Sequence, residues 1–317
     1  LWLWRAGRAR RLTAAGFSVR SRDYEYGGGA FCVAGTGVAL VGEADQQLHH
    51  LPLAADGSPG ALRALTGDPA CRYGDLHHAP AWNAVLAVEE RREGDAVVHR
   101  LVALALEDGA RRVLAEGADF YAAPRLSDDG RRLAWIEWDR PELPWTATRL
   151  CRAAVAADGS FGAIEVVAGA AGDQSLQQPA FAADGTLTCL SDRGGWWQPW
   201  AEHDGQWRPV WRDGPAVENA GAVFHPTLRV GRRVDNGAAL PTTDSEGWSA
   251  PQPMAMADHA PAPWQLGTVS HLPLADGGWL LARLEEGWGR LVERDGAGRE
   301  RCLAAEFSRF RQLATDQ

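Results

Sequence analysis

The sequence predicts an all-β protein, namely a β-propeller of four-stranded blades. Three observations support this fold class: short apolar runs of strand type, Asp-Gly turn signals beside them, and the return of the same pattern along the chain. Residues 124–139, PRLSDDGRRLAWIEWD, contain one such unit. Gly130 can supply the positive φ of a tight turn, and the run Leu-Ala-Trp-Ile that follows is typical of a buried strand.

The same pattern recurs at four other places. Residues 179–193 and 271–286 are clear copies, and residues 30–45 and 78–90 are weaker ones. The apolar strands begin near Val38, Val85, Leu133, Leu187 and Trp279. The first three steps between these positions are 47, 48 and 54 residues, and the last is 92. A period of about 45–50 residues is typical of propeller blades, and a β-sandwich with chance spacing explains five copies less well.

We predict a single propeller domain of about five complete blades, incomplete at both ends. Its divisions are a partial blade at 1–16, blades at 24–66, 71–117, 118–172, 173–213 and 258–307, an insertion or degenerate blade at 214–256, and the start of another blade at 308–317. The partial blades lead us to expect an internal piece of a longer protein, a complete protein with frayed ends being the alternative.

Segment 214–256 accounts for the long step of 92 residues. It is rich in Gly, Pro, Ala and Thr and alternates poorly between apolar and polar residues. These features favour a long loop. A flap that controls access, a degenerate blade and a frameshifted stretch of sequence remain the alternatives.

Composition excludes several classes of function. The chain has 317 residues, of which 45% are hydrophobic, so it can bury a large core. The formal net charge is −9 with both signs interspersed, which argues against a nucleic-acid partner. No apolar run approaches the roughly 20 residues that span a bilayer, so no membrane association is expected. The five scattered cysteines lack a CxxC pair and are typical of reduced core residues in a cytoplasmic protein.

Three stretches taken together resemble the propeller domain of the prolyl oligopeptidase family. They are SVRSRDYEYGGGAF at 18–31, the segment 117–150 with its Trp-Asp-x-Pro and Pro-Trp pairs, and SDRGGWWQPW at 191–200. The similarity runs over nearly the whole chain, and the branch it most resembles is the bacterial dipeptidyl aminopeptidase and acylaminoacyl-peptidase type.

The resemblance implies a two-domain serine peptidase. In this family the propeller lies over a C-terminal α/β-hydrolase domain and restricts entry to short peptides. The implied partners are therefore peptide substrates and the hydrolase domain of the same full-length chain, and a homo-oligomer stays open.

The nucleophile elbow of such a hydrolase, GxSxG, is absent from the 317 residues. The nearest matches surround Ser58 and Ser160, and both have Asp where the first Gly belongs. The catalytic domain is therefore expected to be missing from this chain. We predict no catalytic residue and no cofactor within it, and no hydrolysis by the isolated chain.

The turn sequence Tyr-Glu-Tyr-Gly-Gly-Gly supplies the first candidate substrate-binding residues. In related peptidases that trim dipeptides, acidic propeller residues hold the amino terminus of the substrate. The resemblance makes Glu25 a candidate for that role, with Tyr26 beside it. The alternative is a purely structural blade turn, for which three glycines are also suited.

A second candidate group lies in the segment SDRGGWW. Asp192 and Arg193 form a charged pair, and Trp196 and Trp197 could stack against a peptide while the arginine binds a carboxylate. The alternative is packing between blades.

We predict no metal site. The adjacent histidines at 49–50 and 77–78 are the tempting candidates. Neighbouring residues on a strand point to opposite faces, so neither pair can chelate one ion.

Two other functions compete with the peptidase. One is a non-catalytic TolB-like propeller that mediates protein–protein interaction, as WD40-like repeats do. The other is a propeller enzyme that works from its own channel, such as a glycosidase or lactonase. That enzyme would need convergent carboxylates or metal ligands on several inner strands, whereas the runs VALV, VLAV, LAWI, LTCL and WLLA, interpreted as the inner strands, are almost wholly apolar.

Overall fold

The computed structural model describes residues 1–5, 8–157, 159–193, 198–210, 265–285, 287–310 and 313, with only the backbone at 4, 5, 8 and 198. These residues form 22 β-strands and one short 3-10 helix, Pro80–Trp82. Within the described ranges, no helix has the length and apolar character that crossing a membrane requires. The segment 214–256, predicted as an insertion or degenerate blade, lies outside the described residues.

Five four-stranded antiparallel sheets account for twenty of the strands, and each sheet consists of four consecutive strands. The strands are, in blade 1, β3 (Phe31–Ala34), β4 (Gly37–Val41), β5 (Leu48–Pro52) and β6 (Arg63–Ala64); in blade 2, β7 (Cys71–Ala79), β8 (Ala84–Glu93), β9 (Ala96–Ala105) and β10 (Arg111–Glu116); in blade 3, β11 (Phe120–Leu126), β12 (Arg132–Trp138), β13 (Arg149–Val155) and β14 (Phe161–Ala168); in blade 4, β15 (Leu176–Phe181), β16 (Leu187–Ser191), β17 (Gln198–His203) and β18 (Gln206–Pro209); and in blade 5, β19 (His271–Pro273), β20 (Trp279–Glu285), β21 (Trp288–Arg294) and β22 (Glu300–Leu303). The predicted fold class, an all-β propeller of four-stranded blades, is confirmed.

The remaining two strands, β1 (Trp2–Arg5) and β2 (Arg8–Arg11), pair with each other as a two-stranded ribbon. The chain divides into two compact units. Unit 1 comprises Leu1–Pro141, Arg152–Glu165 and Gln265–Gly267, and unit 2 comprises Glu142–Cys151, Val166–Trp264 and Thr268–Gln317.

The second strand of each blade carries much of the core. Every residue of β4 and of β16 is buried, and so are Leu133 to Ile136 in β12. A strand covered on both faces has a continuous apolar sequence instead of an alternating one, which explains the predicted runs. Each fully buried Leu or Val among them contributes roughly 1.5–3 kcal/mol to folding.

The interpretation of these runs as inner strands is wrong. Each pairs with a strand on both of its sides, whereas a strand that borders a propeller channel has one free edge. The first strands have a free edge and are more polar, with Asp75 in β7, Arg125 in β11 and Gln178 in β15. Apolar second strands therefore give no argument against polar groups on the edge strands.

Three of the first strands each contain a β-bulge. In β7, β11 and β15 the pairing with the second strand shifts register, and a non-glycine residue adopts positive φ: Asp75 at 51°, Ala123 at 52° and Gln178 at 52°. A bulge bends its strand and redirects a side chain. The redirected side chains reach the next blade: Asp75 Oδ2 accepts the amide of Ala123 at 2.6 Å, and Gln178 Oε1 accepts the amide of Ser270 at 2.6 Å.

The turn predicted at residues 128–130 is formed between β11 and β12. Gly130 has φ of 69°, and its amide donates to the carbonyl of Ser127 at 2.8 Å. Asp129 Oδ1 accepts the Ser127 hydroxyl at 2.6 Å and the Arg131 amide at 3.0 Å. The Asp-Gly signal therefore acts as expected, with Asp capping the turn and Gly turning the chain.

Blade 2 contains a buried bidentate ion pair. Glu89 of β8 is completely buried, and its two carboxylate oxygens accept from Nε and Nη2 of Arg111 on β10, both at 2.6 Å. The planar guanidinium matches the carboxylate, which makes this the strongest type of hydrogen-bonded charge pair. If one partner is removed, the other charge remains buried without compensation.

We expect Arg111→Met to lower the free energy of unfolding by about 3–5 kcal/mol, because it strands the Glu89 carboxylate in the core. Guanidinium unfolding followed by tryptophan fluorescence measures this. The matched control is Arg100→Met on β9, whose partners Glu93 and Glu116 are exposed, and it should cost less than about 1 kcal/mol. Equal effects of the two substitutions would contradict the assignment of Arg111 as the critical partner.

Candidate functional site

The candidate Glu25 lies on a strained turn in unit 1. The amide of Glu25 donates to the carbonyl of Arg22 at 3.0 Å, and the amide of Gly27 donates to that of Asp23 at 2.8 Å. Tyr24 and Glu25 adopt positive φ, 53° and 67°. Such conformations cost of order 1–3 kcal/mol each for non-glycine residues and persist only where the surroundings enforce them.

Tyr24 provides that enforcement. Its hydroxyl donates to the carbonyl of Tyr121 and accepts the Tyr121 amide, both at 2.8 Å, and its own amide donates to Glu90 Oε2 at 3.0 Å. Its ring packs edge-on against His99 at 4.6 Å and Phe120 at 5.3 Å between centroids. Tyr24 thereby fixes the turn to β8, β9 and β11, whereas the side chain of the next residue, Glu25, is exposed.

Glu25 and Tyr26, the first pair of predicted site residues, both reach the surface. The side chain of Glu25 is 78% exposed and its carboxylate is 2.9 Å from Nη1 of Arg72. The hydrogen bond to Glu25 raises the pKa of Arg72, so that side chain stays charged. Tyr26 is 45% exposed, and partial burial raises the pKa of its phenol. The turn thus presents an anionic group beside an aromatic ring on a rigid base.

The glycines after this turn are required by close backbone approach. Gly28 has φ of 132°, and a Cβ there would lie 2.2 Å from the carbonyl oxygen of Leu266. Gly29 has φ of 55°, and a Cβ there would lie 2.5 Å from Cα of Asp75. The glycines are therefore needed for close packing, as the interpretation of a structural blade turn predicts. The same turn also exposes Glu25, so a structural role does not exclude a role in substrate binding.

A buried polar cluster lies directly beneath the turn. The ligand-type atoms of Asp23, Glu90 and His99 all lie within 4.8 Å of one another, and all three residues are buried. Glu90 on β8 and His99 on β9 are directly paired in the sheet and share a face. Among the described residues, this group could hold a metal ion, and none of its three members is a candidate ligand on the sequence alone.

The carboxylates of the cluster differ in their environments. Burial raises the pKa of Asp23 well above its usual range, and the nearby charges of Glu90 and Asp75 add to this. Burial also works to raise the pKa of Glu90, but hydrogen bonds from His99 and from the Tyr24 amide lower it overall. Neither oxygen of Asp23 has a hydrogen-bond partner among the described residues.

A sequence signal for this cluster exists. Residues 84–93 and 96–105 form a hairpin with Gly94-Asp95 as its two-residue loop, so positions symmetric about that loop must pair. Glu90 and His99 are such a pair. The approach of Asp23 could not be predicted, because it depends on the tertiary path of the turn.

The second group of predicted residues belongs to unit 2. Asp192 Oδ1 accepts the amide of Ser175 at 2.7 Å, which ties the residue to the start of β15. Arg193 is exposed, and its guanidinium lies over the ring of Trp200 at 4.9 Å. Trp196 and Trp197 lie outside the described residues. The structure thus gives Asp192 a local structural role and leaves the Arg193 guanidinium at the surface.

The histidine pairs at 49–50 and 77–78 have separate environments. His49 Nε2 is 3.0 Å from Asp45 Oδ2, and burial lowers the pKa of His50. Burial also lowers the pKa of His77 and His78, most strongly for His77.

We expect Gly29→Ala to destabilise the protein by more than about 2 kcal/mol, because it adds a backbone clash to an unfavourable φ. Gly16→Ala is the matched control, since Gly16 has φ of 83° and no atom lies within 4 Å of the position that a methyl group would take there. Gly16→Ala should lower the free energy of unfolding by only about 1 kcal/mol. Thermal unfolding of both variants measures the difference, and equal melting temperatures would show that the close approach at Gly29 is unimportant.

No protein-family model matches the chain, and no curated protein matches it. Solved structures do match. A peptidase from Mycobacterium tuberculosis that hydrolyses puromycin is 25% identical, with a TM-score of 0.72, and the match covers 98% of this chain and 44% of that one. The chain thus spans less than half the length of this relative.

Two more distant structures have the same fold. Prolyl oligopeptidase B from Galerina marginata is 9% identical with a TM-score of 0.51, over 88% of this chain and 34% of that one. A TolB-type protein from Agrobacterium tumefaciens is 14% identical with a TM-score of 0.51, over 93% and 83% of the two chains. The predicted resemblance is confirmed: the chain has the β-propeller fold found in prolyl oligopeptidase-type peptidases, and at these identities the likeness establishes the fold.

Proposed function

We propose that this chain is the substrate-gating propeller of a prolyl oligopeptidase-like serine peptidase that acts on short peptides in the cytoplasm. The observation that carries the proposal is the match to the puromycin-hydrolysing peptidase, which covers 98% of this chain but 44% of that enzyme. In this proposal the catalytic triad belongs to an α/β-hydrolase domain of the same full-length protein, with GxSxG supplying the nucleophile.

Glu25 is the proposed contact for the amino terminus of the peptide. Its exposed carboxylate is held on a turn whose strained φ is enforced by the Tyr24 anchor. A fixed carboxylate can accept charge-assisted hydrogen bonds from an ammonium group without first losing side-chain and backbone freedom. Tyr26 supplies an apolar face for the first side chain of the peptide.

Arg193 is a second proposed substrate contact, in unit 2. Its guanidinium lies over Trp200 and is exposed, so it can bind a peptide carboxylate while the indole supports it from below. Asp192, whose carboxylate accepts the amide of Ser175, and Trp196 and Trp197, which lie outside the described residues, are the other residues of this segment that we propose as substrate contacts.

A TolB-like propeller that binds protein partners is the second candidate. The match to the Agrobacterium tumefaciens protein supports it, because 83% of that chain is covered. Such a protein needs no hydrolase domain.

Sequencing the source gene past codon 317 separates the two candidates. The peptidase proposal expects about 250 further codons that encode GxSxG followed by Asp and His. A stop codon directly after Gln317 would refute the peptidase and favour the protein-binding propeller.

In the full-length enzyme we expect Glu25→Gln to raise KM for dipeptidyl substrates with a free amino terminus by about 10-fold or more, with kcat changed less than about 2-fold. The reason is the loss of a charge-assisted hydrogen bond made equally in the ground and transition states. Steady-state hydrolysis of a chromogenic substrate measures it.

Two controls make this experiment specific. The same substrate with an acetylated amino terminus lacks the ammonium group, so Glu25→Gln should leave its KM unchanged. Glu116→Gln removes another exposed carboxylate of unit 1, one that pairs with Arg100, and should also have no effect. An unchanged KM for the free amine in Glu25→Gln would refute the role of Glu25.

A further inference from the structure

The buried cluster of Asp23, Glu90 and His99 has the composition of a metal site. One imidazole and two carboxylates form a three-ligand set of the kind that binds Zn²⁺, at about 2.0–2.2 Å from each ligand atom. Ligands around a tetrahedral ion at that distance stand about 3.4 Å apart. The ligand atoms here lie within 4.8 Å of one another, so small side-chain movements bring them to bonding distance.

Asp23 gives an independent indication of a missing partner. Its side chain is completely buried, and neither carboxylate oxygen has a hydrogen-bond partner among the described residues. Arg72, the cationic side chain that pairs with Glu90 of the cluster at 3.4 Å, is also bound to Glu25 at 2.9 Å. A buried carboxylate without a partner is costly, and a bound cation removes that cost.

His99 is oriented as a metal ligand. Its Nδ1 lies 2.6 Å from the backbone carbonyl of Asp119, which can only accept, so Nδ1 carries the proton. Its Nε2, the ring nitrogen that remains to bind an ion once its proton has left, faces Glu90, 3.7 Å away. A hydrogen bond from the other ring nitrogen to a carbonyl is the usual outer-shell support of a metal-binding histidine.

Packing holds the ring and leaves room for Asp23. His99 stacks on Phe120 at 5.3 Å and meets Tyr24 edge-on. A Cβ at Gly74 would lie 3.0 Å from Asp23 Oδ2, so the absence of a side chain there makes space for the carboxylate. The ligand positions are therefore preorganised from both sides.

We propose that Asp23, Glu90 and His99 bind one divalent transition-metal ion, Zn²⁺ by the chemistry of the ligand set. The ion would join the turn that carries Glu25 and Tyr26 to strands β8 and β9 of blade 2. Imidazole disfavours Mg²⁺ and Ca²⁺, which select oxygen ligands. This inference does not depend on the peptidase proposal, since it concerns the propeller alone.

The test begins with protein stripped by a chelator and kept reduced with a phosphine. We expect isothermal titration with ZnCl₂ to give one site, and excess Zn²⁺ at 100 times Kd to raise the melting temperature by about 4 °C. MgCl₂ should produce neither effect. Asp23→Asn and His99→Gln should each weaken binding by more than about 100-fold, since loss of an outer-shell partner alone costs about 10–100-fold.

Two controls exclude trivial explanations. Glu93→Gln, an exposed position on the same strand as Glu90, should bind Zn²⁺ as the unsubstituted protein does. Cys302→Ser removes an exposed thiol that could bind Zn²⁺ adventitiously, and it too should leave the titration unchanged.

Metal-free Asp23→Asn should be at least as stable as the metal-free parent, because it removes an unpartnered buried carboxylate. That result separates loss of the site from loss of the fold. Absence of stoichiometric Zn²⁺ binding, or binding that survives Asp23→Asn, would overturn the proposal.

Discussion

Unpaired backbone at the free edge of each blade is the constraint on which this structure depends. A four-stranded sheet satisfies the backbone groups of its second and third strands, but its first strand keeps one free edge. Bulges in the first strands answer this need, because they turn Asp75 and Gln178 toward the backbone amides of Ala123 and Ser270. Packing of apolar second strands makes each blade stable, whereas these side-chain bonds join one blade to the next.

The turn that carries Glu25 is also held by hydrogen bonds from a side chain to backbone groups. Positive φ at Tyr24 and Glu25 is maintained by the paired hydrogen bonds between the Tyr24 hydroxyl and the Tyr121 backbone. Strain, a buried unpartnered Asp23 and an exposed carboxylate thus occur within three consecutive residues. Backbone strain and buried polar groups without partners occur most often where a protein binds a ligand. Both the peptide contact at Glu25 and the metal site at Asp23 are therefore placed at this turn.

The sequence predicts the blades well because their signals are local. Asp-Gly turns and apolar runs repeat five times, and the turn at Gly130 forms as expected. The identity of the edge strands could not be predicted the same way, since strand order within a blade depends on pairing. The approach of Asp23 to His99 joins positions 76 residues apart in the chain, and nothing in their local sequence encodes it. The glycine-rich turn that contains Glu25 is visible in the sequence, but the exposure of Glu25 beside the buried Tyr24 is known only from the structure.

The two-residue loop at Gly94-Asp95 has a consequence for how this gene can vary. Glu90 and His99 share a face only because the loop places them opposite each other. Inserting or deleting one codon on either side, between these positions and the loop, would shift the strand by one residue and send the two side chains to opposite faces. Substitutions in the loop leave the register intact. Natural length variation in this hairpin should therefore be restricted to the loop itself or to paired changes of two residues.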